Sequence, residues 1–151
     1  MWEPHGSPYD SRMTEDGGTT ALGDLLMRVA RTLRRRFTAA LAPWDLSPHQ
    51  ARALRVVCGR DGVRLSELAE ALRIAPRSAT EVADGLQARG LVERAADPGD
   101  RRAVVLTPTP TGRQVQQEVT AARGADAQEL FARLPAADRA ELERILRRLT
   151  D

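Results

Sequence analysis

The stretch Leu65-Ser-Glu-Leu-Ala-Glu-Ala-Leu-Arg-Ile-Ala-Pro-Arg-Ser-Ala-Thr-Glu-Val-Ala-Asp-Gly-Leu-Gln-Ala-Arg-Gly90 carries the deciding pattern. Leu65, Leu68, Ala69 and Leu72 recur at helical spacing and form the inner face of a short helix. Ser66 is placed to cap it, and Glu67 sits in the first turn, where the helix dipole favours an acid. Arg73-Ile74-Ala75 is a tight connection. Pro76 then opens a second helix at N1, with Ala79, Val82, Ala83 and Leu86 at i, i+3, i+4 and i+7. Gly90 suits the left-handed position just past its end. Two short helices, a three-residue turn and small apolar residues at the crossing read as a helix-turn-helix.

After Gly90 the period changes. Leu91 to Arg94 reads as a strand, Ala95 to Arg102 as a loop, and Ala103 to Leu106 as the returning strand. A hairpin directly after the second helix is the wing of a winged helix. Thr109-Pro110 then repeats the cap-plus-proline start, with Val115, Val119, Ala122, Leu130 and Phe131 as an apolar stripe. Gly124 weakens this helix, Pro135 breaks the run, and Asp138 is placed to cap a last helix bearing Leu142, Ile145, Leu146 and Leu149. Upstream, an amphipathic helix is expected from Ala21 to Ala42, ended by Pro43. Ser47-Pro48 starts a further helix with Ala51, Leu54, Val57 and Cys58 on one face. Met1 to Thr20, rich in Pro, Gly, Ser, Asp and Thr, reads as a flexible tail. The expected fold is mostly α with a small β-hairpin wing. Its winged helix-turn-helix covers about residues 47–108, flanked by dimerisation helices at about 21–42 and 110–150.

The 151 residues fit one domain with a full core. Aromatic residues are only 3%, so that core must come from Leu, Val and Ala. All 23 basic residues are arginine, offset by 21 acids to a net charge of +2, which permits nucleic-acid binding without demonstrating it. A single cysteine, Cys58, excludes an intrachain disulfide and a cysteine-based zinc site, and it suits a reducing compartment. No apolar run is long enough for a membrane span and no export signal is visible, so the expected localisation is cytoplasmic. His5 and His49 offer no metal-binding pair. No phosphate loop or nucleophile elbow occurs, so no enzyme, metal or cofactor is expected.

A helix-turn-helix presents its second helix to the major groove. The outward positions that matter there are Arg77, Ser78, Thr80 and Glu81. On the wing, Asp97-Pro-Gly-Asp100-Arg101-Arg102 sets two arginines beside a strong turn signal. Arginine on a protruding hairpin suits the negative potential of a narrow minor groove.

Leu65-Ser-Glu-Leu-Ala69, Gly90-Leu-Val-Glu-Arg94, Asp97-Pro-Gly-Asp-Arg-Arg102 and Thr109-Pro-Thr-Gly112, in that order, resemble the MarR family of bacterial transcription regulators. The resemblance runs from about Gly23 to Leu149 and is most specific in the wing. It implies a homodimer with interleaved terminal helices, reading a near-palindromic double-stranded operator. It places Arg77, Ser78 and Thr80 on the recognition helix, Arg101 and Arg102 at the wing arginines, and Asp100 at the acid before them. Repression is the implied mode, relieved by a small aromatic effector. Phe37, Trp44, His49 and Arg52 are the candidate pocket residues. Three positions depart from the family pattern. Pro108 precedes Thr109, and as a residue without an N–H it implies a second wing strand that ends early or lies at an edge. Arg73 stands where glycine is common, and Ala75 replaces a polar cap. The competing function is a winged-helix module that binds protein, consistent with a nearly neutral reading head.

Overall fold

The computed structural model describes residues 13–60, 62–100 and 102–150, with side chains from residue 18 onward. His5 and Arg101 lie outside the described residues. Two units make up the chain, residues 1–35 and 36–151. Helix α1 spans Met13–Ala40, starting ahead of the Ala21 expected from periodicity. Residues 13–20 of the tail expected over residues 1–20 are therefore helical, and residues 1–12 lie outside the described residues. Extending an existing helix costs little compared with nucleating one, so an apolar period marks its stable middle and not its end. Leu22, Leu25, Leu26, Met27 and Val29 of α1 are all exposed.

In the second unit, α2 (Pro48–Arg60), α3 (Leu65–Leu72) and α4 (Pro76–Ala88) pack around one core, followed by α5 (Pro110–Phe131) and α6 (Ala136–Thr150). Leu54, Val57, Leu68, Leu72, Ala79, Ala83, Leu86 and Leu106 are almost wholly buried there. The alanines of α4 let it approach its neighbours closely. Ser47 and Gln50 cap α2 reciprocally: the Gln50 amide donates to Ser47 Oγ at 3.2 Å, and the Ser47 amide donates to Gln50 Oε1 at 2.9 Å. At α3 the cap is not Ser66, which lies inside the helix. Arg64 holds the N-cap position, and its amide donates to the Glu67 carboxylate at 2.9 Å. An acid at N3 reaches back over the first turn and satisfies that donor better than a hydroxyl already inside the helix.

The wing is part of a three-stranded sheet in the order β1-β3-β2, from β1 (Val63–Arg64), β2 (Val92–Ala96) and β3 (Val104–Pro108). The strand β1 was not expected from the sequence, because two residues are too short for any period. It pairs with Val105 and Leu106 of β3. Pro108 does not shorten β3: it is the final residue and pairs with Val92. Because β1 stops at Leu106, β3 has one neighbour at that point, and a proline is tolerated there.

The joint between α4, the sheet and α5 depends on two glycines. Gly90 has φ +67°, and the Gly90 and Leu91 amides donate to Gln87 and Leu86, closing α4 in a Schellman turn. Thr109 caps α5 by accepting from the Gly112 amide at 2.9 Å, while its hydroxyl donates to the Gly90 carbonyl at 2.7 Å. A Cβ on Gly112 would stand 2.0 Å from the Leu91 carbonyl oxygen. The Thr-x-x-Gly pattern is thus a cap and a close backbone crossing in one.

Candidate nucleic-acid interface

Helix α4 buries Ala79, Ala83 and Leu86, which turns Arg77, Thr80, Glu81, Asp84 and Gln87 to solvent. Ser78 is half-buried. Ala75 takes the N-cap position in extended geometry and supplies no side-chain bond, as its chemistry requires. Arg77 Nε lies 3.3 Å from Glu81 Oε1, a turn further on. Asp84 pairs with Arg94 of β2 at 2.5 Å, and Arg94 also donates to Gln87 Oε1 at 3.0 Å. Both acids on the exposed face of α4 are therefore matched by arginines. The pairing of Arg94 is not legible in the sequence, because its partners on α4 are set by how β2 returns past the helix.

The wing tip is built around Asp97. At 9% exposure it is the one buried charged residue among those described. Its Oδ1 accepts from the Gly99 amide at 2.7 Å and the Asp100 amide at 3.2 Å, and its Oδ2 accepts from Arg64 Nε at 2.5 Å. The Arg64 bond, followed by the Gly99 amide, holds the Asp97 carboxyl below the usual aspartate range. Asp100 Oδ1 accepts from the Arg102 amide at 3.0 Å, so this acid shapes the turn that presents Arg102. The Arg102 side chain is exposed.

The four expected pocket residues have different partners within the chain. Phe37 lies under Arg123 of α5, with the guanidinium 5.3 Å from the ring centre. Trp44 donates its indole N–H to Glu118 Oε2 at 2.8 Å. Arg52 donates to the Ala71 and Leu72 carbonyls at 2.9 and 3.3 Å and so caps the end of α3. His49 lines a groove of about 400 Å³ with Ser47, Gln50, Ile74, Ser78, Glu81 and Val82, beside the start of α4. Phe37 and Trp44 face α5, whereas His49 faces the reading helix. Cys58 is half-buried, with Sγ 3.9 Å from the Gly112 carbonyl oxygen.

The Trp44 bond, then one from Gln114, lowers the Glu118 pKa. A folded-state pKa below the unfolded value, about 4.3 for free glutamate, gives a contribution that is complete above that range. It is lost as the pH falls through the folded value. In a Trp2→Phe background, Trp44 emission is expected to stay constant from neutral pH to about pH 4.3, the free glutamate value, and to shift below it. Emission that holds constant until the whole protein unfolds would refute the bond.

Residues 44–103 match the model of the MarR family. The HTH-type transcriptional repressor Rv2887 of Mycobacterium tuberculosis is 35% identical over 129 residues, covering 85% of this chain and 92% of the repressor. The chain belongs to the MarR family. As a MarR-family member it is a DNA-binding transcription regulator built on a winged helix. Apo wild-type MarR from Escherichia coli superposes with a TM-score of 0.79 at 27% identity, covering 86% of this chain and 96% of that one. The crystal structure of the M. tuberculosis MarR family protein Rv2887 in complex with p-aminosalicylic acid gives 0.69 at 31% identity, covering 86% and 98%. In this MarR-family chain the matched segment runs from Trp44 through the wing turn, which includes both α4 and the Asp97 hub.

Proposed function

We propose that this MarR-family chain is a sequence-specific repressor that binds a near-palindromic operator as a two-fold homodimer and is released by a small aromatic ligand. The supporting observation is the pairing of an exposed α4 face with an ordered wing turn that projects Arg102. In this reading Arg77, Ser78, Thr80 and Glu81 meet the major groove, with the two reading helices about 34 Å apart. Arg101 and Arg102 enter the minor groove, and Asp100 orders the turn at Arg102. Residues 21–42 and 110–150 supply the dimer contacts, consistent with the exposed apolar residues of α1 and α6. The effector is assigned to the Phe37 and Trp44 side, where a guanidinium over an aromatic face suits an aromatic acid. The complex of the M. tuberculosis relative with p-aminosalicylic acid supports that ligand class. Among the described residues no helix is long and apolar enough to cross a membrane.

The test is binding to the DNA upstream of the chain's own gene at two salt concentrations, with Arg102→Ala in parallel. Affinity is expected to fall with salt as counterions return to the phosphates. Arg102→Ala should weaken binding by about 1–3 kcal/mol and reduce the salt slope by about 1. Affinity insensitive to both salt and the substitution would refute the reading. The matched charges of α4 favour one second reading, a winged-helix module that binds protein. Absence of binding to its own and neighbouring promoters at low salt would favour that module.

A further inference from the structure

Arg64 lies in neither the recognition helix nor the wing turn, yet the wing turn is built on it. It ends β1 opposite Val105 of β3, and its amide is held by Glu67 in the first turn of α3. Its Nε reaches Asp97 across 33 residues of chain. Asp97 in turn gathers the Gly99 and Asp100 amides, its own amide donates to the Ala103 carbonyl at 3.0 Å, and Asp100 takes the Arg102 amide. An unbroken run of bonds thus leads from the start of α3 to the residue assigned to the minor groove. A hairpin tip is ordinarily the loosest part of its sheet. Here it holds a nearly buried carboxylate that would be left short of a charged donor without Arg64.

We propose that Arg64 is a positioning residue for the DNA-reading wing: through Asp97 it fixes the tip turn, and with it the direction of Arg102, against the first turn of α3. The proposal rests on the DNA-binding reading above. The lowered pKa of Asp97 and the raised pKa of Arg64, each owed first to their mutual hydrogen bond, agree with the geometry. Holding a contact residue in place from a rigid element improves recognition because less freedom is lost on binding.

Asp97→Asn isolates the bond. Asparagine keeps a carbonyl oxygen for the Gly99 and Asp100 amides but opposes an N–H donor to Arg64 Nε. It also deletes a negative charge beside the DNA. Charge alone therefore predicts tighter binding, whereas the clamp predicts weaker binding. The expected result is a loss of roughly tenfold, the scale of one misplaced arginine contact. Asp97→Asn/Arg102→Ala should bind no more weakly than Arg102→Ala alone, since the two changes remove the same contact. Unchanged or tighter binding by Asp97→Asn, or full additivity in the double variant, overturns the proposal.

Hydrogen exchange on the DNA-free protein supplies an arm independent of operator choice. In Arg64→Ala the Gly99 and Asp100 amides should exchange roughly tenfold faster, with the amides of α2 and α4 unchanged, as expected for a local opening. Equal exchange in both proteins overturns the clamp. If the wild type binds no DNA while these amides still loosen in Arg64→Ala, the DNA-binding reading falls and the clamp stands.

Discussion

Gly112→Ala is expected to destabilise the fold by about 3 kcal/mol or more, at the upper end for overpacking a tight site. The added Cβ would sit 2.0 Å from the Leu91 carbonyl oxygen and 2.9 Å from its carbon, so backbone must move. Leu91 cannot yield cheaply. Its amide donates to Leu86, closing α4, and its carbonyl accepts from the Thr109 amide at 3.1 Å, opening α5. Relief of the clash would open the end of the recognition helix or strip the cap of the following helix. Urea unfolding followed by circular dichroism gives the measurement. Gly124→Ala is the internal control, because it lies within the same helix and a Cβ there meets nothing within 4 Å. That change should stabilise by about 0.5–1 kcal/mol, the helix-interior difference between Gly and Ala. A Gly112→Ala midpoint within error of wild type would mean that the crossing is looser than described.

Ile145→Asp/Leu149→Asp is expected to yield a folded monomer that binds operator roughly 100- to 10,000-fold more weakly, the avidity lost when two linked contacts become one. Both residues lie on α6, exposed to 42% and 69%, and α6 has no buried residue within the chain. Beside them Leu142, Leu146 and Phe131 line an open apolar groove of about 400 Å³. A surface of this kind is a poor companion for water and a good one for a second copy. Carboxylates placed there cost the isolated chain little and a dimer a great deal, since each would be desolvated without a partner. Sedimentation at micromolar concentration would report the state of association, and titration on operator DNA would report the affinity. A variant that remains dimeric and binds as the wild type does would remove α6 from the interface.

Much of this architecture can be read along the chain, because the signals are local. The periods of α3 and α4, proline at N1, Gly90 at a positive φ and the caps at Ser47 and Thr109 each involve residues a few positions apart. Short-range sterics and hydrogen bonding favour the same conformations in any context, so these elements follow from the residues themselves. The wing hairpin belongs with them, marked by its Pro-Gly turn between two β-prone runs. So do the places where residue chemistry runs against the expected pattern. Arg73 ends α3 in the left-handed region at φ +55°, which is why glycine is the commoner choice there.

What tertiary structure decided is the choice of partners. With 23 arginines and 21 acids, nearly any basic residue has some acid to meet, and only the packing says which. It sent Arg94 to Asp84, Arg64 to Asp97 and Arg52 to the carbonyls ending α3. The same packing made a strand of Val63 and Arg64, which have no strand signal without β3 beside them. It also sent Phe37 and Trp44 to α5 and His49 to the edge of α4, where the family resemblance and their places along the first two helices had grouped them. Helix and turn formation depend on neighbours in sequence, whereas ion pairs, edge strands and pockets depend on which surfaces meet once those elements pack.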